Sequence, residues 1–234
     1  MSIRSTLLIT LLLGAGQASA TPSQALMADI HYEIRSVTAD GISKTLKYRD
    51  RFYRDQQQIW LERVMPAGSV ADQHQHEHEP EDEHHRLDLH DINFDIAARH
   101  VSKQADGKAD IVFVSRSKEL AISVEPENYG TVGFNGTWAS AFYLLDPNAL
   151  ADMPRLQRHA PRGSRWYGKD DASSYLRILW DQQRGFPLRI EAGRKDGSLR
   201  RTVIAQPRPL PPAAQLPWQQ LGHYTHKDYN DLMD

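Results

Sequence analysis

The sequence has 234 residues, no cysteine, and a net charge of −2 with histidine counted as neutral. Without cysteine, the chain cannot form a disulfide, bind a metal through a thiolate, use a cysteine nucleophile or carry an acylated amino-terminal cysteine. The near balance of acidic and basic residues argues against nucleic acid as a partner.

Residues 1–20 have the pattern of a secretory signal peptide. Arg4 precedes an apolar run over residues 7–13, and small residues follow up to Ala20. The run is much shorter than the roughly 20 residues that a membrane-spanning helix needs, and no second candidate follows it. We therefore expect a periplasmic protein that is exported with a cleavable signal peptide and has no membrane span.

Alternation of apolar and polar residues predicts an antiparallel β-sheet along most of the chain. Asp-Gly pairs at residues 40–41, 106–107 and 196–197 are typical of tight hairpin turns. The predicted strands are residues 30–38, 42–54, 58–64, 94–103, 109–117, 120–126, 131–145, 174–181, 186–193 and 198–206.

The remaining segments divide the chain into one domain and a tail. Residues 146–163 predict a crossover with a short helix, which Asp146 caps and Pro147 begins. Residues 21–206 then form a single β domain that includes a loop rich in histidine and acidic residues at 71–91. Residues 207–234 form a proline-rich tail with a short helix.

One stretch of about thirty residues, 176–204, resembles a known superfamily. In it, a strand that ends in an aromatic residue and an aspartate is followed by a Gly-x-Pro-Leu-type turn, a strand and a hairpin; the residues are Trp180, Asp181, Gly185, Pro187, Leu188, Asp196 and Gly197. The stretch is similar to the superfamily of the lipoprotein carrier LolA, its partner LolB and the periplasmic stress regulator RseB. The resemblance implies a strongly curved antiparallel sheet, an open half-barrel with short helices on its concave side. The histidine-rich insertion is not part of that superfamily's pattern.

A half-barrel of this size offers a concave apolar surface, which is the usual character of a ligand pocket. The expected ligand is apolar, a lipid or a lipoprotein acyl chain, and a periplasmic protein partner is compatible with the resemblance. The candidate ligand-binding residues are Tyr32, Ile34, Trp60, Phe113, Trp138, Phe142, Ile178 and Trp180.

Histidine is concentrated near residue 80. Residues 74–85 contain five of the eleven histidines and five carboxylates. In an extended segment, every second side chain lies on the same side, so neighbouring imidazoles and a carboxylate can share one ion. Nitrogen and oxygen ligands suit Cu(II), Zn(II) or Ni(II). The candidate ligands are His74, His76, His78, His84, His85 and His90.

A second interpretation of residues 72–91 is a solvated acidic loop, since they contain eight acidic residues and one base. No catalytic motif stands out, because the HExxH, GxSxG and phosphate-loop patterns are all missing. We therefore expect a non-enzymatic binding protein for an apolar ligand with a metal-binding loop. The alternative is a periplasmic buffer or chaperone for copper, zinc or nickel, and a third possibility is a metal-dependent enzyme.

Overall fold

The computed structural model describes residues 25–66, 93, 94 and 96–232, so the signal peptide and the histidine-rich stretch lie outside the described residues. Eleven strands join in one sheet. They are β1 (Leu26–Val37), β2 (Ser43–Arg54), β3 (Gln58–Arg63), β4 (Ala98–Lys103), β5 (Ala109–Ser115), β6 (Leu120–Val124), β7 (Ser164–Asp170), β8 (Ser174–Asp181), β9 (Phe186–Arg194), β10 (Leu199–Arg208) and β11 (Thr225–Asp228).

Helices in the described part of the chain are short. The two α-helices are α1 (Trp138–Tyr143) and α2 (Pro147–Ala151). The 3-10 helices are Pro126–Asn128, Ala213–Gln215, Pro217–His223 and Asn230–Leu232. None of these helices is long and apolar enough to cross a membrane.

The strand order is β11-β6-β5-β4-β3-β2-β1-β10-β9-β8-β7, so β11 and β7 are the two edges of an open sheet. All neighbouring strands are antiparallel except β11, which runs parallel to β6. The predicted Asp-Gly turns are confirmed, since Gly41, Gly107 and Gly197 have φ values of +83°, +85° and +79°. The structure thus confirms the predicted mainly β class with an open, curved antiparallel sheet.

The two faces of the sheet carry different clusters of apolar residues. We call the face that carries Phe52 and Phe113 the inner face, and the face that carries Trp60 the outer face. The inner cluster is the larger one, and Phe142 of α1 and Tyr129 of the preceding loop pack onto it. The outer cluster is covered by the carboxy-terminal tail, which contributes Leu210, Leu216, Trp218, Leu221 and Tyr224 to it.

Contacts across non-neighbouring strands show how strongly the sheet curls. β1 and β10 separate β2 from β9, which corresponds to about 14 Å in a flat sheet. The rings of Phe52 on β2 and Phe186 on β9 nevertheless lie 5.6 Å apart between centroids. The inner face is therefore concave, and the open half-barrel that the sequence predicted is present.

A buried arginine holds the curl at the turn between β8 and β9. The carboxylate of Asp181 accepts hydrogen bonds from the backbone N–H groups of Gln183 and Arg184, at 3.0 Å and 2.9 Å, and Gly185 closes the turn at φ +57°. Arg54 of β2 donates to the carbonyl oxygens of Arg184 and Gly185, at 2.6 Å and 3.2 Å. The sequence stretch with the family resemblance thus forms the turn to which β2 is attached.

The prediction of a strand over residues 131–145 is wrong, because the second half of this segment forms α1. Trp138 and Phe142 are four residues apart, and their rings pack at 5.6 Å on one side of the helix. Leu144 ends the helix with φ +57°. The aromatic residues suggested a strand, but the spacing of the apolar residues is helical.

The sequence pattern did not predict β7, and it predicted the structure of the carboxy-terminal tail only in part. β7 pairs with β8, and its outer edge is covered by the chain before it: Leu156 donates its N–H to the carbonyl of Trp166 at 2.9 Å. The predicted short helix within residues 207–234 corresponds to 3-10 turns, and the same tail supplies β11 to the sheet. The predicted helical cap at Asp146 is confirmed, since its carboxylate accepts from the N–H of Asn148.

Candidate ligand-binding groove

A groove of about 610 Å³ crosses the outer face where β10, β1 and β2 lie side by side. This volume lies within the roughly 300–1,000 Å³ of pockets that bind small molecules. The floor consists of residues at facing register positions on the three strands: His31, Glu33, Lys47, Arg49, Thr202 and Ile204.

The residues that follow β3 build one wall of the groove. Val64 donates its backbone N–H to the carbonyl of Arg49 at 2.8 Å, which holds the segment against β2. Met65, Pro66 and Ile96 complete this wall. Met65 in the wall and Ile204 in the floor are 40 % and 38 % exposed, so the groove presents apolar side chains to solvent.

The wall is also where the described chain is interrupted. Pro66 is the last described residue before the histidine-rich stretch, and Asn93 is the first after it. Asn93 accepts a hydrogen bond from the backbone N–H of Ile96 at 3.1 Å, which places it next to a residue that lines the groove. The sequence that contains the candidate metal ligands therefore connects two parts of one wall.

The charged residues of the groove are mostly basic. Lys47 pairs with Glu33 at 3.4 Å, but both side chains are more than half exposed, so this pair contributes little stability. His31 and Arg49 make no side-chain hydrogen bond or ion pair within the described residues. Arg49 lines the groove, and a guanidinium is suited to binding a carboxylate or phosphate.

A polar cluster of Tyr32, Tyr48, Asp50 and Arg63 lies on the inner-face positions of the same strands, and its two tyrosines and Arg63 also contribute to the groove lining. The rings of Tyr32 and Tyr48 stack at 4.5 Å, and the guanidinium of Arg63 lies 3.9 Å from the centre of the Tyr48 ring. Arg63 Nε is 2.5 Å from Asp50 Oδ1. The cluster holds β1, β2 and the end of β3 together beside the groove.

Burial determines the acid-base character of this inner cluster. It raises the pKa of Asp50 above its ordinary value, although hydrogen bonds with Arg63 and Tyr32 oppose the rise. Burial also raises the pKa of the Tyr32 hydroxyl, and the nearby Asp50 carboxylate adds to that rise. Tyr32 consequently stays protonated at neutral pH and serves as a hydrogen-bond donor to Asp50.

The eight candidate ligand residues do not surround one cavity. Phe113, Phe142 and Ile178 are at most 5 % exposed and form part of the packed inner face. Trp60 is 1 % exposed and belongs to the outer cluster, so it lies on the opposite side of the sheet. Tyr32 alone among the eight lines the groove.

The other candidates lie around the inner face at partly exposed positions. Trp138 packs against the inner cluster from α1. Trp180 contacts Tyr143, with their ring centroids 6.2 Å apart, and Ile34 faces Leu46 across β1 and β2. A hollow of about 70 Å³ lies beside Tyr32 on this face, and it is too small for an acyl chain.

The six candidate metal ligands, His74, His76, His78, His84, His85 and His90, lie outside the described residues. Among the residues that are described, no group of three or more histidine, aspartate or glutamate side chains forms a metal site. Copper, zinc or nickel binding at the loop stays a prediction from the sequence.

Sequence reasoning missed most of the groove because it followed the apolar positions of each strand. Ile204 interrupts the polar positions of β10, and Met65 follows the end of β3. The sequence feature that could have indicated the groove is an apolar residue at a strand position where alternation predicts a solvent-exposed polar one. Arg49 and His31 could not be identified as groove residues from the sequence, because isolated charged or polar residues are common on strands.

Comparisons with known proteins give similarity in structure alone. No protein-family model matches the chain, and no curated protein does. A structure of PNGF-II aligns with 89 % of this chain and 33 % of its own, with a TM-score of 0.39 and 11 % identity. The complex of Pseudomonas aeruginosa MucA and MucB aligns over 83 % and 56 %, with a TM-score of 0.34 and 13 % identity.

A DUF1329 family protein from Desulfovibrio piger aligns over 79 % of this chain and 84 % of its own, with a TM-score of 0.33 and 10 % identity. The chain spans a third of the first matched structure and just over half of the second. None of the three reaches the similarity that assigns a chain to a family. The fold and the groove define a mainly β protein with an open, curled sheet and a ligand-sized groove on its outer face.

Proposed function

We propose that the protein is a non-enzymatic periplasmic binding protein that holds an apolar ligand, a lipid or an acyl chain, in the outer groove. The groove is the observation that supports the proposal most, because its volume of about 610 Å³ suits a small molecule. The periplasmic location rests on the predicted signal peptide. A periplasmic protein that delivers or receives the ligand belongs to the same proposal.

The walls of the groove suit a ligand with an apolar body and an anionic end. Met65 in the wall and Ile204 in the floor offer apolar surface, and burying them against a ligand removes that surface from water. Arg49 supplies a guanidinium for a carboxylate or phosphate. The ligand site differs from the concave site that the sequence predicted, since helix α1 and the loop before it fill much of the concave face.

The proposal is tested by titrating the protein with a fluorescent acyl-chain probe and by extracting co-purified lipid for mass spectrometry. Ile204→Arg places a charge in the groove, and we expect it to weaken probe binding at least tenfold. Leu46→Arg is the matched control, because Leu46 is 56 % exposed and lies on the inner face of β2. We expect it to leave binding unchanged. If the probe fails to bind, or both variants weaken it equally, the groove is not the site.

The histidine content of residues 74–85 favours a second candidate function, a periplasmic buffer or chaperone for Cu(II), Zn(II) or Ni(II). Calorimetric titration with each ion, with and without residues 72–91, separates the two. Tight stoichiometric binding that the deletion abolishes, in a protein that does not bind the acyl probe, would support metal handling. Acid should release the ion, because protonated imidazole cannot coordinate it.

A further inference from the structure

Three of the five exposed large apolar residues in the described chain lie at one end of the sheet. Ile42 in the β1–β2 turn is 53 % exposed, Leu46 is 56 % exposed and Leu199 is 40 % exposed. The β1–β2 and β9–β10 hairpins end side by side there, since Val37 donates its N–H to the carbonyl of Ser198 at 2.8 Å. We call residues 35–46 and 194–201 the hairpin-tip surface.

The hairpin-tip surface is strongly basic in a chain with a net charge of −2. It contains two acidic and six basic residues; the basic ones are Arg35, Lys44, Arg194, Lys195, Arg200 and Arg201. Both acidic residues accept hydrogen bonds within their own turns. Asp40 accepts from the Thr38 hydroxyl, and Asp196 accepts from the N–H of Ser198 at 2.9 Å. The positive charge is therefore not balanced within this surface.

Two of the arginines are placed directly opposite each other. Arg35 of β1 faces Arg200 of β10 in the strand register. Facing like charges on paired strands destabilise the sheet unless an anion lies between or near them. Among the described residues, the hydrogen-bond partner of Arg35 Nε is the neutral hydroxyl of Ser43, at 3.4 Å. This arrangement is suited to an anionic partner outside the chain.

We propose that the hairpin-tip surface docks onto a lipid bilayer that contains anionic lipids. Ile42, Leu46 and Leu199 would enter the interface between headgroups and acyl chains, and the surrounding lysine and arginine side chains would contact the phosphates. An apolar tip surrounded by bases matches this partner, because it needs both buried apolar area and attraction to negative charge. Docking of this kind needs no ligand in the outer groove.

The test is co-sedimentation of the exported protein, its amino terminus verified by mass spectrometry, with phosphatidylcholine vesicles with and without phosphatidylglycerol. We expect binding to the anionic vesicles, and we expect high salt to weaken it. Arg200→Gln should weaken partitioning about fivefold, and the pair Ile42→Ser with Leu46→Ser about tenfold or more. Ile204→Ser is the control, since Ile204 is exposed but lies in the outer groove.

Several results would overturn the docking proposal. They are equal binding to neutral and anionic vesicles, no binding to either, or an equal loss on Ile204→Ser and on the paired change at Ile42 and Leu46. The acyl-probe titration of the same variants distinguishes the outer groove from the hairpin-tip surface, because the changes at the hairpin tips should leave probe binding intact. Circular dichroism of each variant checks that the sheet is folded.

Discussion

The guanidinium of Arg54 donates a hydrogen bond to the carbonyl oxygen of Phe142 at 2.6 Å, and its central carbon lies 4.2 Å from the centre of the Phe142 ring. Arg54 is fully buried, and burial lowers its pKa to about 10, so it remains charged at neutral pH. One side chain on β2 thereby joins the helix on the inner face to the β8–β9 turn.

Replacing Arg54 with Met should destabilise the fold by about 3 to 5 kcal/mol, because the buried carbonyl of Phe142 and the partly buried carbonyls of Arg184 and Gly185 lose their donor. Urea unfolding followed by tryptophan fluorescence measures the change. Lys47→Met is the control, since Lys47 is 68 % exposed and its ion pair with the exposed Glu33 spans 3.4 Å. It should change the free energy of unfolding by less than about 1 kcal/mol. Equal losses in both variants would contradict a special role for Arg54.

His100 makes the stability of the protein sensitive to acid. Its ring stacks on Trp218 of the tail at 6.4 Å between centroids, and burial lowers its pKa to about 4, while the unfolded chain has an ordinary histidine pKa of about 6.5. Between these two values the unfolded state binds a proton that the folded state does not. Stability therefore falls as the pH drops from about 6.5 to about 4.

His100→Gln should remove this part of the pH dependence, which amounts to roughly 3 kcal/mol between pH 7 and pH 4. The free energy of unfolding is measured by urea titration at a series of pH values. His31→Gln is the control, because His31 is exposed and has no partner among the described residues. A wild-type profile that His100→Gln does not flatten would show that another group is responsible.

The ion pair between Asp50 and Arg63 should behave as a coupled unit. Arg63→Met leaves the Asp50 carboxylate buried without its main partner, and we expect a loss of about 3 kcal/mol. Adding Asp50→Asn to that variant should recover part of the loss, because the amide carries no charge. A double-mutant cycle measures the coupling, which we expect to be about 1 to 3 kcal/mol. Additive effects of the two substitutions would contradict it.

Gly193 tests how tightly β9 packs against its neighbours. A Cβ atom at this position would lie 2.4 Å from the carbonyl oxygen of Leu199 and 2.9 Å from the hydroxyl of Tyr175. We expect Gly193→Ala to cost about 2 to 3 kcal/mol in thermal or urea unfolding. Gly130→Ala is the control, since the methyl group that alanine adds there would have nothing within 4 Å, and it should be nearly neutral. A neutral Gly193→Ala would mean that β9 and β10 separate easily.

Alternation predicted nine of the strands because the rule is local: side chains on a strand point to opposite faces whatever the rest of the chain does. Asp-Gly pairs at Gly41, Gly107 and Gly197 specified the turns for the same reason. The helix α1 was missed because aromatic residues favour strands on average, and the local spacing of Trp138 and Phe142 was outweighed by that preference.

The position of the groove depends on which parts of each sheet face are covered by the tail and the helices. The alternation of apolar and polar residues along a strand does not contain that information. Trp60 and Phe113 both lie at apolar strand positions. The carboxy-terminal tail covers Trp60, whereas helix α1 and the loop before it cover the face that carries Phe113. The groove forms where neither cover reaches. Ile204 was visible in the sequence, but its importance follows from the register with His31 and Arg49, which only the paired strands reveal.

The position of β1 has a consequence for biosynthesis. Leu26–Val37 lies between β2 and β10 in the sheet, although Leu199–Arg208 follows it much later in the sequence. β11, which closes the β6 edge, is made later still. Contacts this distant in sequence form slowly, and β1 cannot pair with β10 until residues 199–208 have been synthesised, so the complete sheet forms late. Such a delay suits the export that residues 1–20 predict, because a chain that is threaded through a translocation channel must fold afterwards.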